Sequence, residues 1–369
     1  MATAGPLPRW VDLGLLPLLN LLAAFFVTGL IVWGLGESPW EALRLMVYGA
    51  FGYGSAVGYT LFYATNFVFT GLAFAIAFHA ALFNIGAEGQ AYLGGLGVGL
   101  VCLAFDAYLP FVLILPLAIL GAALFGAAWG AVPGWLQAHR GAHVVITTIM
   151  FNFIAAALMT YLLVDVLINP GQATPETRRF AEAAQMPRLH EIGAALGLPL
   201  ARSPLNLAFF VALLAALGVW LLLWKTRFGY ALRVTGQSEA AAVYAGIDPR
   251  RITILAMALS GALAGMMALN EIMGAQQRLL LGFTGGFGFV GIAVALMGRN
   301  HPFGIVMAAI LFGALYQGGS ELAFDMPTIS RDMVVVIQGL VILFAGALEN
   351  MFRPSLARLF ARPQRHREA

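Results

Sequence analysis

The sequence predicts an all-α polytopic membrane protein of about ten transmembrane helices with both termini cytoplasmic, and three observations carry that expectation. Of 369 residues 61% are hydrophobic and only 10% are charged, against about a quarter charged in a soluble domain, and the mean hydropathy is +0.86. Runs without Asp, Glu, Lys or Arg recur at 13–36, 141–164, 203–224, 252–270, 279–298 and 300–320, each near the roughly 20 apolar residues of a helical crossing. The runs are continuously apolar, whereas barrel strands alternate over about ten residues.

Breaking the longer runs at glycine, proline and polar clusters places the spans at 14–34, 57–80, 85–104, 110–132, 144–166, 205–224, 253–271, 284–298, 302–320 and 333–350. The first has a charge-free stretch too long for a signal core and no small-residue cleavage site after it, so it reads as a retained helix. The second and third are parted by FNIGAEGQ at 83–90, polar and glycine-broken. A turn is expected over 133–143, where Pro133 and Gly141 fall. The eighth, within GFTGGFGFVGIAVALMG at 282–298, is short and glycine-rich, as a re-entrant or discontinuous helix lining a cavity would be. Trp10, Trp33, Trp40, Trp129, Trp135, Trp220 and Trp224 fall near span ends, as an interfacial aromatic belt requires.

Orientation follows from Lys and Arg, which concentrate in short cytoplasmic loops. Residues 225–251 hold Lys225, Arg227, Arg233, Arg250 and Arg251 against Glu239 and Asp248. The tail holds Arg353, Arg358, Arg362, Arg365 and Arg367, and Arg9 and Arg140 mark two further basic ends. Segment 167–204 sets Glu176, Glu182 and Glu191 against its arginines over a much greater length. The expected organisation is therefore one transmembrane domain over 1–369, with 167–204 an extracytoplasmic loop, 225–252 a cytoplasmic loop and 351–369 a basic cytoplasmic tail. The net charge of +3 is then a topology signal, and no soluble basic face suggests nucleic acid.

Catalysis finds little to work with. The lone cysteine, Cys102, lies in an apolar span, which rules out an intrachain disulfide and cysteine-based metal sites. Among six histidines only His139 and His143 have helical ligand spacing, and they flank Gly141, so no metal site is expected. A phosphate loop needs a lysine, and the single lysine, Lys225, follows Leu223 and Trp224. No nucleophile-elbow pattern is present. Transport is favoured, energised by an ion gradient or by a partner; the chain itself is expected to hold no cofactor and to be no enzyme.

RFGYALRVTGQSEAAAVYAGIDPRR at 227–251 bears on that choice. Arg227–Gly229 reads as closing a span, and Tyr230–Val234 and Glu239–Tyr244 as two short helices joined by Thr235, Gly236, Gln237 and Ser238. Ser238 is a suitable N-cap, Glu239 suits the helix dipole, and Gly246 ends the helix. Small residues Ala240, Ala241, Ala242 and Ala245 allow close approach to another surface. A plain helical hairpin between two spans fits the periodicity equally well.

This segment resembles the coupling loop of permease subunits of bacterial ABC importers in the branched-chain amino acid and ribose permease superfamily. FNIGAEGQ, HVVITTIMFNFIA at 143–155, ALSGALAGMMALNE at 258–271, GFGFVGIAVALMGRNHPFGIVMAAILFGAL at 286–315 and VIQGLVILF at 336–344 are similar to the larger permease of nucleoside ABC importers. One departure is Gln237 and Ser238, where Asn and Pro are usual in that family; either pair can begin a helix. The resemblance implies a multi-pass protein of the bacterial cytoplasmic (inner) membrane. It further implies an ABC ATPase partner that binds the ATP, a second and smaller permease, a lipid-anchored or periplasmic substrate-binding protein, and nucleoside cargo. Coupling to the ATPase would fall to Arg233, Gly236, Ser238, Glu239, Ala240, Ala241, Tyr244 and Gly246.

Substrate-path candidates are Asn84, Glu88, Gln90, Asn152, Asn270, Phe287 and Phe289. An ionisable group in a span is functional by default, and two readings of Glu88 stand side by side. In one, Glu88 and Gln90 satisfy backbone groups freed where Asn84 and Gly86 interrupt the helix; in the other, the segment lines the path. Asn152, one turn after Thr147 and Thr148, is either a path residue or interhelical glue worth about 0.5 to 2 kcal/mol. Asn270 and Glu271 close the seventh span, as the rim of an entrance or as a water-exposed helix end. The alternatives in function are an ABC permease for ribose or another simple sugar, and an ion-coupled secondary transporter. The latter needs ionisable residues within the spans, which are almost absent apart from Glu88.

Overall fold

The computed structural model describes residues 8, 10–344, 352 and 356. Arg9, the end of the predicted tenth span beyond 344, and the basic tail 351–369 except Phe352 and Leu356 lie outside the described residues. Among the described residues the secondary structure is helical, with two isolated antiparallel bridges, Glu176 to Leu280 and Arg188 to Asn206. Two compact units divide the chain, one formed by residues up to Gly49 together with those from Leu315 onward, the other by Ala50–Ala314.

The smaller unit contains α1 (Leu16–Gly34), most of α2 (Pro39–Phe51), the end of α13 (Pro302–Asp325) and α14 (Arg331–Ile342). Ala24, Val32, Met46, Leu322, Ile329 and Ile337 form its core. The sequence reading did not anticipate α2, because Glu41 and Arg44 interrupt its apolar pattern. It stands at 118° to α1, across a break where Gly36 takes φ +86°. A Cβ on Gly318 would meet the Met46 carbonyl oxygen at 2.2 Å, so glycine there lets α13 press onto the backbone of α2.

The larger unit is built on α3 (Gly54–His79), α4 (Ala87–Phe105), α5 (Phe111–Arg140), α6 (Val144–Tyr161), α8 (Ala208–Lys225), α11 (Pro249–Ala268) and α12 (Phe287–Met297), with a short α7 (Leu189–Ala195) in the 167–204 segment. Helix α3 is buried on every side from Ala64 to Ala77, and Phe67, Phe69, Leu72, Phe74 and Ala75 are inaccessible to solvent, as in a helix of the interior. Helices α5 and α6 bury one stripe each and turn the rest outward, as lipid-facing helices do. Helices α5 and α11 pack backbone to backbone. A Cβ on Gly261 would lie 2.1 Å from the Gly126 carbonyl oxygen, and one on Gly126 would lie 2.2 Å from that of Gly261. Small residues permit this approach, which supplies van der Waals contact where lipid provides no hydrophobic drive.

That packing overrides a predicted break. Helix α5 continues through Pro133 to Arg140, so the expected 133–143 turn shrinks to Gly141–His143, with Gly141 left-handed at φ +66°. Gly134, one residue past the proline, seats against Met257 and Ile254 of α11, holding the helix through its breaker. His139 consequently sits on the last turn of α5, and His143 precedes the first residue of α6.

Helix ends sort into two sets. At one, the His79 ring Nε2 lies 3.1 Å from the Asn300 carbonyl oxygen, and Trp224 packs against both His79 and His301. At the other, Asp106 pairs with Arg178, and Glu176 with Arg278. Successive helices of this unit therefore run up and down. Seven described helices are long and apolar enough to cross a bilayer, or eight if the bent α1 and α2 pair forms one span, where the sequence suggested ten. At 11 residues, α12 is about 16 Å long, roughly half the hydrocarbon thickness.

Candidate functional site

Between α3 and α4 the chain leaves helical geometry over 80–86, and polar side chains take up the backbone groups that this exposes. Asn84 Oδ1 accepts from Gly86 N at 2.8 Å, while Asn84 Nδ2 donates to Gln90 Oε1 at 2.9 Å and to Ser260 Oγ at 2.8 Å. The Ser260 hydroxyl donates in turn to the Ala73 carbonyl at 2.6 Å. From α6, Asn152 Nδ2 donates to the Ile85 carbonyl at 2.9 Å and its Oδ1 accepts from Gly89 N at 2.8 Å. The Ile85 N–H reaches Thr148 Oγ1 at 3.3 Å. Asn84, Gln90 and Asn152 thus meet one another's surroundings in a buried cluster that braces the break. Asn152 has the geometry of interhelical glue.

Glu88 does something else. Its Oε1 accepts from Gly286 N at 2.9 Å and its Oε2 from Gly288 N at 2.8 Å, with the Thr284 side chain a further partner. The backbone groups it satisfies therefore belong to α12 and not to its own segment, which corrects one sequence reading. The carboxylate sits where the positive end of the helix dipole and the unpaired N–H groups of the first turn coincide. Glycine makes the approach possible: Gly286 takes φ +79°, and a Cβ on Gly288 would lie 2.4 Å from Glu88 N. The two interrupted elements that the sequence marked in opposite halves of the chain meet at this point.

A second polar cluster lies toward the end of the unit where the 167–204 segment lies. Asn206 Nδ2 donates to Asn270 Oδ1 at 2.9 Å, Asn270 Nδ2 to Asn66 Oδ1 at 2.8 Å, and Asn66 Nδ2 to Glu271 Oε1 at 2.6 Å. Asn270 is fully buried and Glu271 is 5% exposed, so neither is the water-exposed helix end that the sequence allowed. They lie in a π-helical extension of α11, Leu269–Gln276.

Glu271 also lines an open cavity of about 1000 Å³. Tyr59, Phe62, Tyr63, Phe283 and Phe287 give it aromatic walls, and Arg188, His190, Arg202 and Gln276 give it polar ones. Of the sequence candidates only Phe287 lines this cavity; its ring packs edge to face on Phe67 at 5.5 Å. Phe289 is half-exposed elsewhere. The sequence reading missed Tyr59, Tyr63, Arg188 and Arg202. The only available signal was Asn66 in a charge-free span and the aromatic triplet around Phe62, neither distinct from ordinary core.

Arg178 fastens the 167–204 segment to α4. Its guanidinium donates to Asp106 Oδ2 at 2.7 Å and Oδ1 at 2.9 Å, and Ala181 N donates to Oδ2 at 2.9 Å. The Arg178 guanidinium holds the Asp106 carboxyl below the usual carboxylate range, helped by the Ala181 N–H. Arg278 donates to Glu176 Oε1 at 2.6 Å.

At the opposite end, the 225–252 segment forms α9 (Arg227–Gln237) and α10 (Glu239–Tyr244). The helix α9 is longer than expected: Thr226 caps it, accepting from Gly229 N at 3.0 Å, so Arg227–Gly229 opens this helix instead of closing a span. Only Ser238 separates the two helices, and its hydroxyl accepts from Ala241 N at 3.2 Å as an N-cap. Gly246 follows at φ +74°. Gly236 rests on the end of α3, where a Cβ would meet the His79 carbonyl at 2.2 Å. Ala242 faces inward, while Glu239, Ala240, Ala241, Val243 and Tyr244 are exposed, Tyr244 by 97%.

Up-and-down apolar helices, polar breaks satisfied inside the bundle and a polar cavity at one end define a multi-pass membrane permease. The chain belongs to the family described as branched-chain amino acid transport system / permease component, which matches residues 56–346. It is 34% identical over 340 residues to the glucose ABC transporter permease protein TsgB13 of Haloferax volcanii, covering 91% of this chain and 88% of that one. It is 35% identical to the guanosine ABC transporter permease protein NupP of Bacillus subtilis, over 90% of this chain and 93% of the other. The nucleoside ABC transporter permease protein NupB of Lactococcus lactis shares 31% identity, over 89% and 90%.

Proposed function

We propose that this chain is the larger permease of an ABC importer that carries nucleosides across the cytoplasmic membrane of a bacterium. The observation that carries the reading is the aromatic-walled cavity of about 1000 Å³ with Glu271 in its lining, a size at the upper end of small-molecule sites. Aromatic faces suit a base, and carboxylate, amide and guanidinium groups suit a sugar. The names of the relatives, for guanosine, nucleosides and glucose, share a polyhydroxylated ring. A simple sugar is the second reading, favoured by the glucose-named relative. The family match sets the ion-coupled alternative aside.

In this reading the chain crosses ten times: α1 with α2, the seven long helices, the broken passage 277–298 that ends in α12, and α14. Both termini and the 225–252 loop face the cytoplasm, and the 167–204 segment and its cavity face outward to receive substrate from a lipid-anchored or periplasmic binding protein. Exposed Val243, Tyr244 and the alanines of α10 dock in an ABC ATPase, which binds and hydrolyses the ATP. This chain holds no cofactor and catalyses no reaction. A smaller second permease completes the pathway. Asn84, Gln90 and Asn152 shape it by bracing the broken helix, and Glu88 by seating α12.

Co-expression with the neighbouring permease, ATPase and binding protein, followed by reconstitution, tests the proposal. Nucleosides are expected to stimulate ATP hydrolysis while ribose and branched-chain amino acids do not. Stimulation by a sugar but by no nucleoside would replace the cargo, and failure of the ATPase to copurify would remove the coupling assignment.

A further inference from the structure

Resting on the nucleoside reading above, we propose that Glu271 is a specificity-determining residue that accepts hydrogen bonds from the adjacent 2′ and 3′ hydroxyls of the ribose. The amide chain behind it has a fixed polarity. Amide oxygen and nitrogen positions are assigned from hydrogen-bond partners, and here two backbone groups, one an obligate donor and one an obligate acceptor, fix them. The Ala208 N–H can only donate, and it does so to Asn206 Oδ1 at 2.9 Å, which leaves Asn206 Nδ2 to donate to Asn270 Oδ1. The Phe62 carbonyl can only accept, and it takes Asn270 Nδ2 at 3.0 Å. The same Nδ2 donates to Asn66 Oδ1, so Asn66 Nδ2 must point at Glu271.

Every amide in the chain therefore donates in one direction, and the chain ends on Glu271 Oε1. Hydrogen bonds aligned in series polarise one another, so the Asn66 amide is a strengthened donor that holds the terminal carboxyl in one orientation as an acceptor. A carboxylate offers about four acceptor positions, and Asn66 fills one of them. Glu271 lines the cavity together with Tyr63, Phe283 and Phe287, and the remaining positions are assigned to the ligand. An acceptor fixed by a pinned network calls for a ligand that brings O–H or N–H donors. The aromatic walls take the flat base, and the carboxyl is left to the sugar, where two neighbouring hydroxyls can bind it together. A site built to hydrogen-bond a hydroxyl discriminates strongly against an analogue without it, because its own polar group is left unpaired.

The test is uptake into proteoliposomes holding the full importer with its binding protein, using guanosine, 2′-deoxyguanosine and inosine, for the natural chain, Glu271→Gln and Glu271→Asp. The binding protein is the same throughout, so a changed ratio between cargoes reports the permease. The natural chain is expected to favour guanosine over 2′-deoxyguanosine by roughly tenfold to a hundredfold, the weight of the one hydrogen bond to a charged group that the missing 2′ hydroxyl removes. Glu271→Gln should bring that ratio toward one and leave the ratio of guanosine to inosine, which differ in the base amino group, where it was. Glu271→Asp should give an intermediate ratio, and it carries the test if Glu271→Gln does not assemble. Equal loss of guanosine and 2′-deoxyguanosine uptake in both variants would make Glu271 merely structural and overturn the proposal. A shift in the guanosine to inosine ratio would move the contact to the base and overturn the ribose assignment. Uptake of nucleosides with no preference between ribose and deoxyribose in the natural chain overturns this inference alone, whereas no nucleoside uptake overturns the cargo reading on which it rests.

Discussion

Glu88 answers to a geometric demand that its neighbours in sequence do not reveal. Two N–H groups at the start of α12 end on its two oxygens, the one from Gly288 buried and the one from Gly286 part-buried. Glu88→Ala leaves both donors unpaired and should lower stability by about 2 to 4 kcal/mol, read as a fall in the melting temperature of the detergent-solubilised protein; Glu88→Gln should fall less, since one oxygen remains. A Glu88→Ala protein as stable as the natural one would remove the capping role. Gly288→Ala reaches the same contact from the other side. Its Cβ meets backbone, Glu88 N at 2.4 Å, which cannot rotate away, so overpacking of about 1 to 3 kcal/mol is expected from a single methyl group.

At the scale of elements, α10 and the α5–α11 pair make opposite kinds of surface. Exposed Tyr244 on α10 has the character of an interface anchor, whose truncation typically weakens binding by about 2 kcal/mol or more. Tyr244→Ala should cut ATPase copurification at least tenfold while leaving the melting temperature of the isolated permease within a degree or so. Retained copurification would mean that α10 is only a connector. Gly261→Leu should do the reverse, destabilising the permease itself by driving a side chain into the Gly126 carbonyl 2.1 Å from the Cβ position. The sequence announced α10 well, because Ser238 and Gly246 punctuate it locally. It announced α5 poorly, since Pro133 is a local breaker and the packing of Gly134 on α11 that overrides it is a contact between residues over a hundred positions apart. The site divides in the same way. Asn84, Glu88, Gln90, Asn152 and Asn270 stood out as polar groups in apolar spans, but which of them face a cavity was not legible. Asn270 proved internal to a network, and Glu271 beside it reaches the cavity. The cavity aromatics look in sequence like any others in a membrane span.

For the molecule as a whole, two ion pairs fasten the 167–204 segment within the larger unit, Arg178 to Asp106 and Arg278 to Glu176. The folded state depresses the Asp106 carboxyl below its usual range. The stabilisation is therefore fully present above the unfolded value of about 4 and is lost as the pH falls through the lower folded value. Melting temperature measured against pH should show an acid step below about pH 4, and Arg178→Ala should shrink it. Because Arg178 is partly exposed, the cost of that substitution at pH 7 should be modest, about 1 kcal/mol. An acid step of full size in Arg178→Ala would assign it to other carboxyls.

The clasp between Glu88 and the glycines of α12 also has a history in time. Its partners are 198 and 200 positions apart, and a ribosome adding about 5 to 20 residues each second takes roughly 10 to 40 s to cover that distance. Throughout that interval α4 is already made and its carboxyl has no α12 to receive it. The nascent chain must shelter this group in the insertion machinery or hold α4 near the aqueous surface until α12 emerges, so the contact between the two interrupted elements forms late in synthesis, with only α13 and α14 of the described helices still to follow.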